Sequence, residues 1–425
     1  METKRTLFKN EYLFSIISRI ILALAGFLSQ ILLARYLGAD LKGRVAYISS
    51  ITTTGAIISC VGANQLYPYL KRNENGGNNN IVNEFMSIIV VYFASIAIVL
   101  VTISVFFVKQ NDVFIALAII PFYGYSLVTG MVALLKAPNK RNVLVLIASL
   151  AELFLIAYLF FIQKEANIIF GVISLLSAEF IKCVLFTIMI NPRISLRHLN
   201  KNIVVSIIKK GSFFMVAQLL IVLNYKIDVI MLKQYSSISD SDIGIYSIGI
   251  AIAEKILLIP DAIKEILLKD LSSDLNIKRV SQSSRISFLI CIILSIALCF
   301  VSKPLIPIFF GDEYSGAYLI TIITVFGACC MVFMKMIDCY FTIVMKEKLS
   351  VLVLLIAVLI NVCFNLAFIP QFGIKGAAIA TIIGHAVCGA VYIGLFCYYE
   401  RQNPFSLIFI SKEDFKLLKR NKNNN

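Results

Sequence analysis

The sequence predicts an all-α integral membrane protein with about twelve transmembrane helices in two parallel six-helix lobes. Three observations predict it. Apolar residues make up 59% of the 425 positions and charged residues only 15%, against about 25% charged in soluble domains, and mean hydropathy is +0.88. Uninterrupted apolar runs of a length that crosses a bilayer recur along the whole chain, where a barrel would show short alternating segments. Finally, the second half echoes the first at offsets of 198 to 208 residues. LLARYLGADLKGRVAY (32–47) is similar to IMLKQYSSISDSDIGIY (230–246), NVLVLIASL (142–150) to SVLVLLIAVL (350–359), and FGVISLLSAEF (170–180) to KGAAIATIIGH (375–385). Two repeats of six spans in the same order, each starting on the same side, give parallel lobes.

The expected first span, 12–34, follows Lys4, Arg5 and Lys9. Ala23-Leu24-Ala25 resembles a signal-peptidase site, but the apolar run continues to Leu33 and Arg19 interrupts it, so an uncleaved span is expected. The second, 44–66, contains SSITTTGAIIS (49–59) with six hydroxyl residues. Small hydroxyl side chains allow close helix packing; contact with sugar hydroxyls is the other reading. NENGGNNN (73–80) is a solvated loop. Spans 84–108, 113–135, 142–163 and 167–190 complete the first lobe. The connector NPRISLRHLNKNIVVSIIKKG (191–211) is basic and amphipathic, which suits the inner membrane surface. Spans 211–233, 243–268, 286–310, 316–341, 349–369 and 374–399 follow, then a basic tail. Pro121, Pro304, Pro307 and Pro370 sit in or at the ends of spans, where neighbours can satisfy the freed backbone groups. The expected organisation is a lobe over 1–190, a connector over 191–210, a lobe over 211–400 and a tail over 401–425.

Orientation follows from basic residues. With the N-terminus inside, inner segments hold 25 of the 39 Lys and Arg, outer loops hold 4, and 10 lie within the span bounds. Both termini are therefore expected to be cytoplasmic. The net charge of +15 is accounted for by these loops and by anionic lipid, and no nucleic-acid signature accompanies it. The ten cysteines lie dispersed in apolar runs, which does not suit a disulfide framework, and with two histidines and no paired Cys/His spacing no metal site is expected.

Three stretches resemble a known family. ARYLGADLKGRVAY (34–47) is similar to an R-x-L-G…G turn between first and second spans, with Lys42 where Tyr is usual. KIDVIMLKQY…DIGIYSIGIAIAEKILLIPDAI (226–263) is similar to seventh and eighth spans with their Asp and G-x-Y turn. NVCFNLAFIPQFGIKGAAIATIIGHAV (361–387) matches an Asn-rich eleventh span, an I-P-x-x-G turn and a G-A-A-x-A-T twelfth span. The chain resembles the multidrug/oligosaccharidyl-lipid/polysaccharide (MOP) exporter superfamily, which includes the MATE transporters, and within it the Wzx-type polysaccharide or O-antigen repeat-unit flippases. The resemblance covers about residues 1–400. It implies a V-shaped cavity that opens alternately to each side. It implies passage of an undecaprenyl-pyrophosphate-linked oligosaccharide to the outer leaflet of a bacterial inner membrane, in O-antigen, capsule or other surface-polysaccharide assembly. It implies no chemistry on the cargo and no cofactor, coupling to protons or sodium, and membrane lipids and a polysaccharide polymerase as partners.

Charged residues inside spans each cost about 2.5–3.5 kcal/mol on an insertion scale, so each needs a reason. Arg19 reads as a cavity cation for pyrophosphate or as a side chain snorkelling to the inner interface. In NYKIDVIML (224–232), Lys226 and Asp228 are two apart, about 200° around a helix, so they need different neighbours; a water-filled cleft would supply them. Glu179 with Lys182, and Lys335 with Asp338, are three apart and share a helix face. Each pair reads as self-neutralising or as an ion-coupling pair remade during transport. Under the repeat Glu179 falls within one residue of His385. Glu152 and Glu254 also lie in spans, and Glu254 joins Arg19, Lys226, Asp228 and His385 as the expected cleft residues. Asp228, Glu179, Lys182, Lys335 and Asp338 are the ion-coupling candidates. No catalytic residue is expected, because no outer loop exceeds about ten residues. A cation-coupled multidrug antiporter of the same fold is the alternative; a structural scaffold would not need charges in so many spans.

Overall fold

The computed structural model describes residues 2–409 except 74–79, 109, 163–164, 196–198, 274 and 345; of side chains, those at 2–20, 72–73, 80, 107, 269 and 272–273 are also outside the description. The helices are α1 (Glu2–Cys60), α2 (Ala63–Asn73), α3 (Asn80–Phe107), α4 (Asn111–Lys136), α5 (Pro138–Ile162), α6 (Ile168–Ile190), α7 (Lys201–Ser206), α8 (Ser212–Leu232), α9 (Asp240–Glu254), α10 (Leu258–Ser273), α11 (Ile277–Phe310), α12 (Ala317–Ile343), α13 (Glu347–Phe372), α14 (Ile374–Glu400) and α15 (Phe405–Ile408). A π-helical turn at Ile207–Gly211 joins α7 to α8, and a 3-10 turn at Lys255–Leu257 joins α9 to α10. No strand occurs among the described residues.

Eleven helical segments are long and apolar enough to cross a membrane. The first, Ile21–Lys71, has 51 residues. At 1.5 Å per residue it is about 77 Å long, more than twice a hydrocarbon core of about 30 Å, which is length enough for the first two expected spans. What differs is the turn expected at 35–43. It is reduced to a kink where two helices meet, at Gly38 with φ 70° and ψ 173°, a conformation that glycine reaches without a Cβ clash. Lys42 reaches back across the break to Gln30 Oε1 at 2.7 Å. Other helices end where the sequence offers a cap. Asn167 accepts from the Ile169 amide ahead of α6, Asn276 from the Lys278 amide ahead of α11, and Ser239 with Asp242 forms a capping box on α9.

The chain divides into two compact units, Met1–Val222 and Leu223–Asn425; the division falls inside α8. In the first unit α4 is central and packs on α1, α2, α3 and α6. Leu66, Tyr67, Phe85, Met86, Val128 and Phe186 are buried together there. A Cβ on Gly55 of α1 would come within 2.3 Å of Ile120 on α4, so this crossing depends on glycine. The hydroxyls of 49–59 mostly bond their own helix: Ser50 to Ala46 O, Thr53 to Ser49 O, Thr54 to Ser50 O and Ser59 to Ala56 O. Arg44 forks onto Asp112, Nη2 to Oδ1 at 2.5 Å and Nε to Oδ2 at 3.1 Å, tying α1 to the start of α4.

The connector is strapped to α3. Asn83 Oδ1 accepts from the Arg193 amide, Ser87 Oγ from the Ser195 amide, and Asn200 Nδ2 donates to Glu84 Oε2. In the second unit α12 is the centre, packed on α9, α10, α11 and α14, and 67% of its apolar window is buried against 17% for the peripheral α5. After α14, residues Gln402–Ile408 fold back on α11: Ser281 bonds Gln402 at 2.8 Å, Arg285 bonds the Ser406 carbonyl at 2.5 Å, and Leu407 is buried.

Candidate functional site

Four helices of the second unit converge on Asp228, which is 2% exposed. Its Oδ2 accepts from Tyr246 Oη of α9 at 2.9 Å and from Thr381 Oγ1 of α14 at 2.6 Å; its Oδ1 accepts from Asn365 Nδ2 of α13 at 2.6 Å. Asn365 Nδ2 also bonds Asn361 Oδ1 at 2.8 Å, so the i,i+4 pair of asparagines turns one face of α13 to the carboxylate. Every one of these donors is neutral. Hydrogen bonds to a charged acceptor contribute about 1.5–3 kcal/mol each, enough together to hold a carboxylate at this depth. They do not neutralise it, and a buried charge without a counter-ion remains costly. An ionised Asp228 thus has hydrogen-bond donors from three helices, none of them charged.

A small cavity adjoins the cage. Tyr225, Asp228, Ile250, Ala253, Glu254, Thr324, Ala328, Thr381 and His385 line it, and it offers ≈ 10 Å³ for the centre of a water-sized group, at the lower limit for one water. The sequence-derived candidates Asp228, Glu254 and His385 thus meet on one wall. His385 Nε2 lies 3.4 Å from the Asn224 carbonyl. Its Nδ1 and the Tyr225 hydroxyl have no partner among the described residues. Lys226 is not on the cavity wall; it lies within electrostatic range of Glu254, as do Lys255 and Lys335. Lys226 and Asp228 do have different neighbours, as their spacing requires.

Lys335 and Asp338 do not neutralise each other. Lys335 bonds Asp261 Oδ1 at 2.5 Å and Asp338 lies 3.6 Å from Lys264 Nζ. Asp261 and Lys264 are also three apart, so α10 and α12 present matching i,i+3 pairs, and each charge finds its partner across the helix interface. The first unit behaves differently. Glu179 and Lys182 of α6 do pair, at 2.5 Å, and Ser126 of α4 donates to the same carboxylate. Glu152 of α5 lies within electrostatic range of Lys182, Glu179 and Lys42. The side chain of Arg19 lies outside the described residues.

Tyr246, Asn361, Asn365 and Thr381 were not among the residues singled out from the sequence. All four stand within stretches that carry the resemblance, but only the fold shows that they point at one carboxylate. The His/Cys/Asp/Glu side chains described include no group of three that could hold a metal ion.

The fold matches solved structures across nearly its whole length. "Lipid II flippase MurJ, inward closed conformation" superposes with a TM-score of 0.72 at 15% identity, covering 92% of this chain and 88% of that one. An inward-facing multidrug-resistance MATE transporter of the MOP superfamily gives 0.66 at 14% identity, covering 89% and 94%. The Vibrio cholerae MATE transporter VcmN, as a mutant, gives 0.60 at 13%, covering 95% and 100%. At such identities the likeness establishes the fold, that of the MOP exporters. None of the curated proteins compared matches the chain. The model of the family described as "Polysaccharide biosynthesis protein" matches residues 8–262, more than half of the sequence. The chain belongs to the polysaccharide biosynthesis protein family and carries it on the MOP exporter fold.

Proposed function

We propose that this protein is a flippase that carries an undecaprenyl-pyrophosphate-linked oligosaccharide from the inner to the outer leaflet of a bacterial cytoplasmic membrane, by alternating access, for O-antigen, capsule or another surface polysaccharide. The family match over residues 8–262 carries this reading, and the MurJ structure, titled a lipid II flippase, favours a lipid-linked cargo. Nothing is done chemically to the cargo, so the protein acts as a transporter and not as an enzyme. Both termini face the cytoplasm, as the distribution of Lys and Arg requires, and a polysaccharide polymerase is the partner that would use the delivered unit. Arg19 and Lys226 serve the cargo's phosphates, since cations lower the barrier to moving a pyrophosphate through low dielectric.

Asp228 is the coupling group, taking up a proton or a sodium ion. Its cage of Tyr246, Asn365 and Thr381 supports this: each donor is neutral, so a cation and not a lysine completes the charge. The test is a deletion strain complemented with wild type, Arg19→Ala or Asp228→Ala. Lipid-linked repeat units accumulate in the inner leaflet without the protein, wild type clears them, and the variants fail despite normal membrane insertion. Unchanged surface glycan with raised sensitivity to cationic drugs would replace this reading with the multidrug antiporter.

A further inference from the structure

The cavity beside Asp228 has features that a packed helix interface does not need. His385 is 5% exposed, yet its Nδ1 has no partner among the described residues. Because Nε2 faces a carbonyl oxygen, Asn224 O at 3.4 Å, it carries the ring proton, and Nδ1 is left as an acceptor. The Tyr225 hydroxyl, also unpartnered, stands on the same wall, with its ring 5.8 Å from the imidazole. A donor, an acceptor and two carboxylates line a space of the size of one water. Glu254 is half-buried whereas Asp228 and His385 are buried, so Glu254 is the end of the cavity nearer solvent.

We propose that this cavity is a proton antechamber: Glu254 collects a proton from solvent and passes it through a cavity water to Asp228, with His385 and Tyr225 orienting that water. In the transfer, the Glu254 carboxyl gives its proton to the water and the water gives one of its own to Asp228. Glu254 ends as a carboxylate, Asp228 as an acid, and nothing is oxidised. The proposal rests on the coupling reading of Asp228 and selects the proton over sodium. A space for one water does not admit a hydrated metal cation, and an imidazole nitrogen is a poor ligand for a hard cation. The charged and titratable groups around the route are Tyr225, Lys226 and Asp228 on α8, Tyr246 and Glu254 on α9, Lys255 in the turn after it, Asp261 on α10, Lys335 on α12, and His385 on α14. The α13 face contributes only the neutral Asn361 and Asn365. Lys226, Lys255 and Lys335 lie within electrostatic range of Glu254.

The chain has only two histidines, so His198→Gln leaves His385 as a single reporter. With nitrogen-15-labelled histidine and the protein in lipid nanodiscs, exchange of the imidazole N–H with water is read by saturation transfer. The expected result is measurable exchange, slowed at least about tenfold by Glu254→Gln, since a positioned proton donor accelerates transfer by about a hundredfold or more. A ring that does not exchange means a dry cavity and overturns the proposal. Exchange at the wild-type rate in Glu254→Gln also overturns it, because protons then enter elsewhere. The coupling reading fails separately, if Asp228→Asn protein transports with unaltered ion dependence.

Discussion

The two units each bury a carboxylate and hold it in opposite ways. In the first, Glu179 receives a lysine from its own helix, one turn away, and a serine hydroxyl from α4. In the second, Asp228 receives two hydroxyls and an amide from three other helices. The first arrangement is complete: charge meets charge, and opening it leaves an ion exposed to low dielectric. The second is geometrically complete but electrically open. The two carboxylates are not repeat equivalents, and one sits in an ion pair while the other is held by neutral donors alone. The difference lies in the partners, not in burial, since both carboxylates are buried.

Neutralising each carboxylate should separate the two arrangements most strongly. Glu179→Gln strands Lys182. Breaking a fully buried pair costs about 3–5 kcal/mol; Lys182 keeps 24% of its side chain exposed, so about 2–3 kcal/mol is expected, recovered largely by adding Lys182→Met. Asp228→Asn removes an uncompensated charge and keeps an oxygen for Asn365, so its stability should match or exceed wild type while transport is lost. Thermal unfolding of the purified proteins in detergent measures the first effect, and clearance of lipid-linked glycan in the deletion strain the second. If both variants are destabilised alike, the contrast between the units is wrong.

Removing a cage donor is the next largest change. Asn365→Ala and Thr381→Val each delete one hydrogen bond to a charged acceptor, an effect of about 1.5–3 kcal/mol. In an Asp228→Asn background the same substitutions should lose most of that effect, because the acceptor is then neutral. A double-mutant cycle between Asp228 and Asn365 reads this directly. A coupling energy near zero would mean that the cage does not act on the charge of Asp228.

The ion pairs between α10 and α12 come third. Asp261 is 48% exposed at its side chain and Lys264 33%, and pairs this accessible contribute about 0–1 kcal/mol. Lys335→Met and Lys264→Met should therefore each shift unfolding by less than the cage variants. Exchanging the residues at Asp261 and Lys335 should restore what either single substitution loses.

How much of this could be read beforehand differs between fold and site. The spans were legible because each is a long apolar run, and Asn167, Ser239 and Asn276 mark helix starts that the sequence displays. The turn between the first two spans was legible in place but not in extent: RYLGADLKGR is polar enough to suggest a loop, yet two helices meet there across a kink at Gly38 alone. For the site, the charged residues were visible because charge is conspicuous in an apolar run. Their partners were not. Tyr246, Asn365 and Thr381 stand 18, 137 and 153 positions from Asp228, and nothing local in the sequence aims them at one point. Lys335 and Asp338 show the same limit: i,i+3 spacing permits a pair within the helix, but a matching pair on α10 competes for both charges.

The smallest expected effect concerns the hydroxyls of the second span, which had two readings, packing and contact with sugar. Thr53 bonds the carbonyl of Ser49 and Thr54 that of Ser50, each one turn back on α1. A hydroxyl engaged with its own helix satisfies itself and adds little to stability, and valine preserves its shape. Thr53→Val and Thr54→Val should each change unfolding by no more than about 0.5 kcal/mol and leave glycan clearance at the wild-type level. Loss of clearance with unchanged stability would assign these hydroxyls to the cargo. The polar face of the first unit would then have a transport role, and the contrast with the cage around Asp228 would narrow.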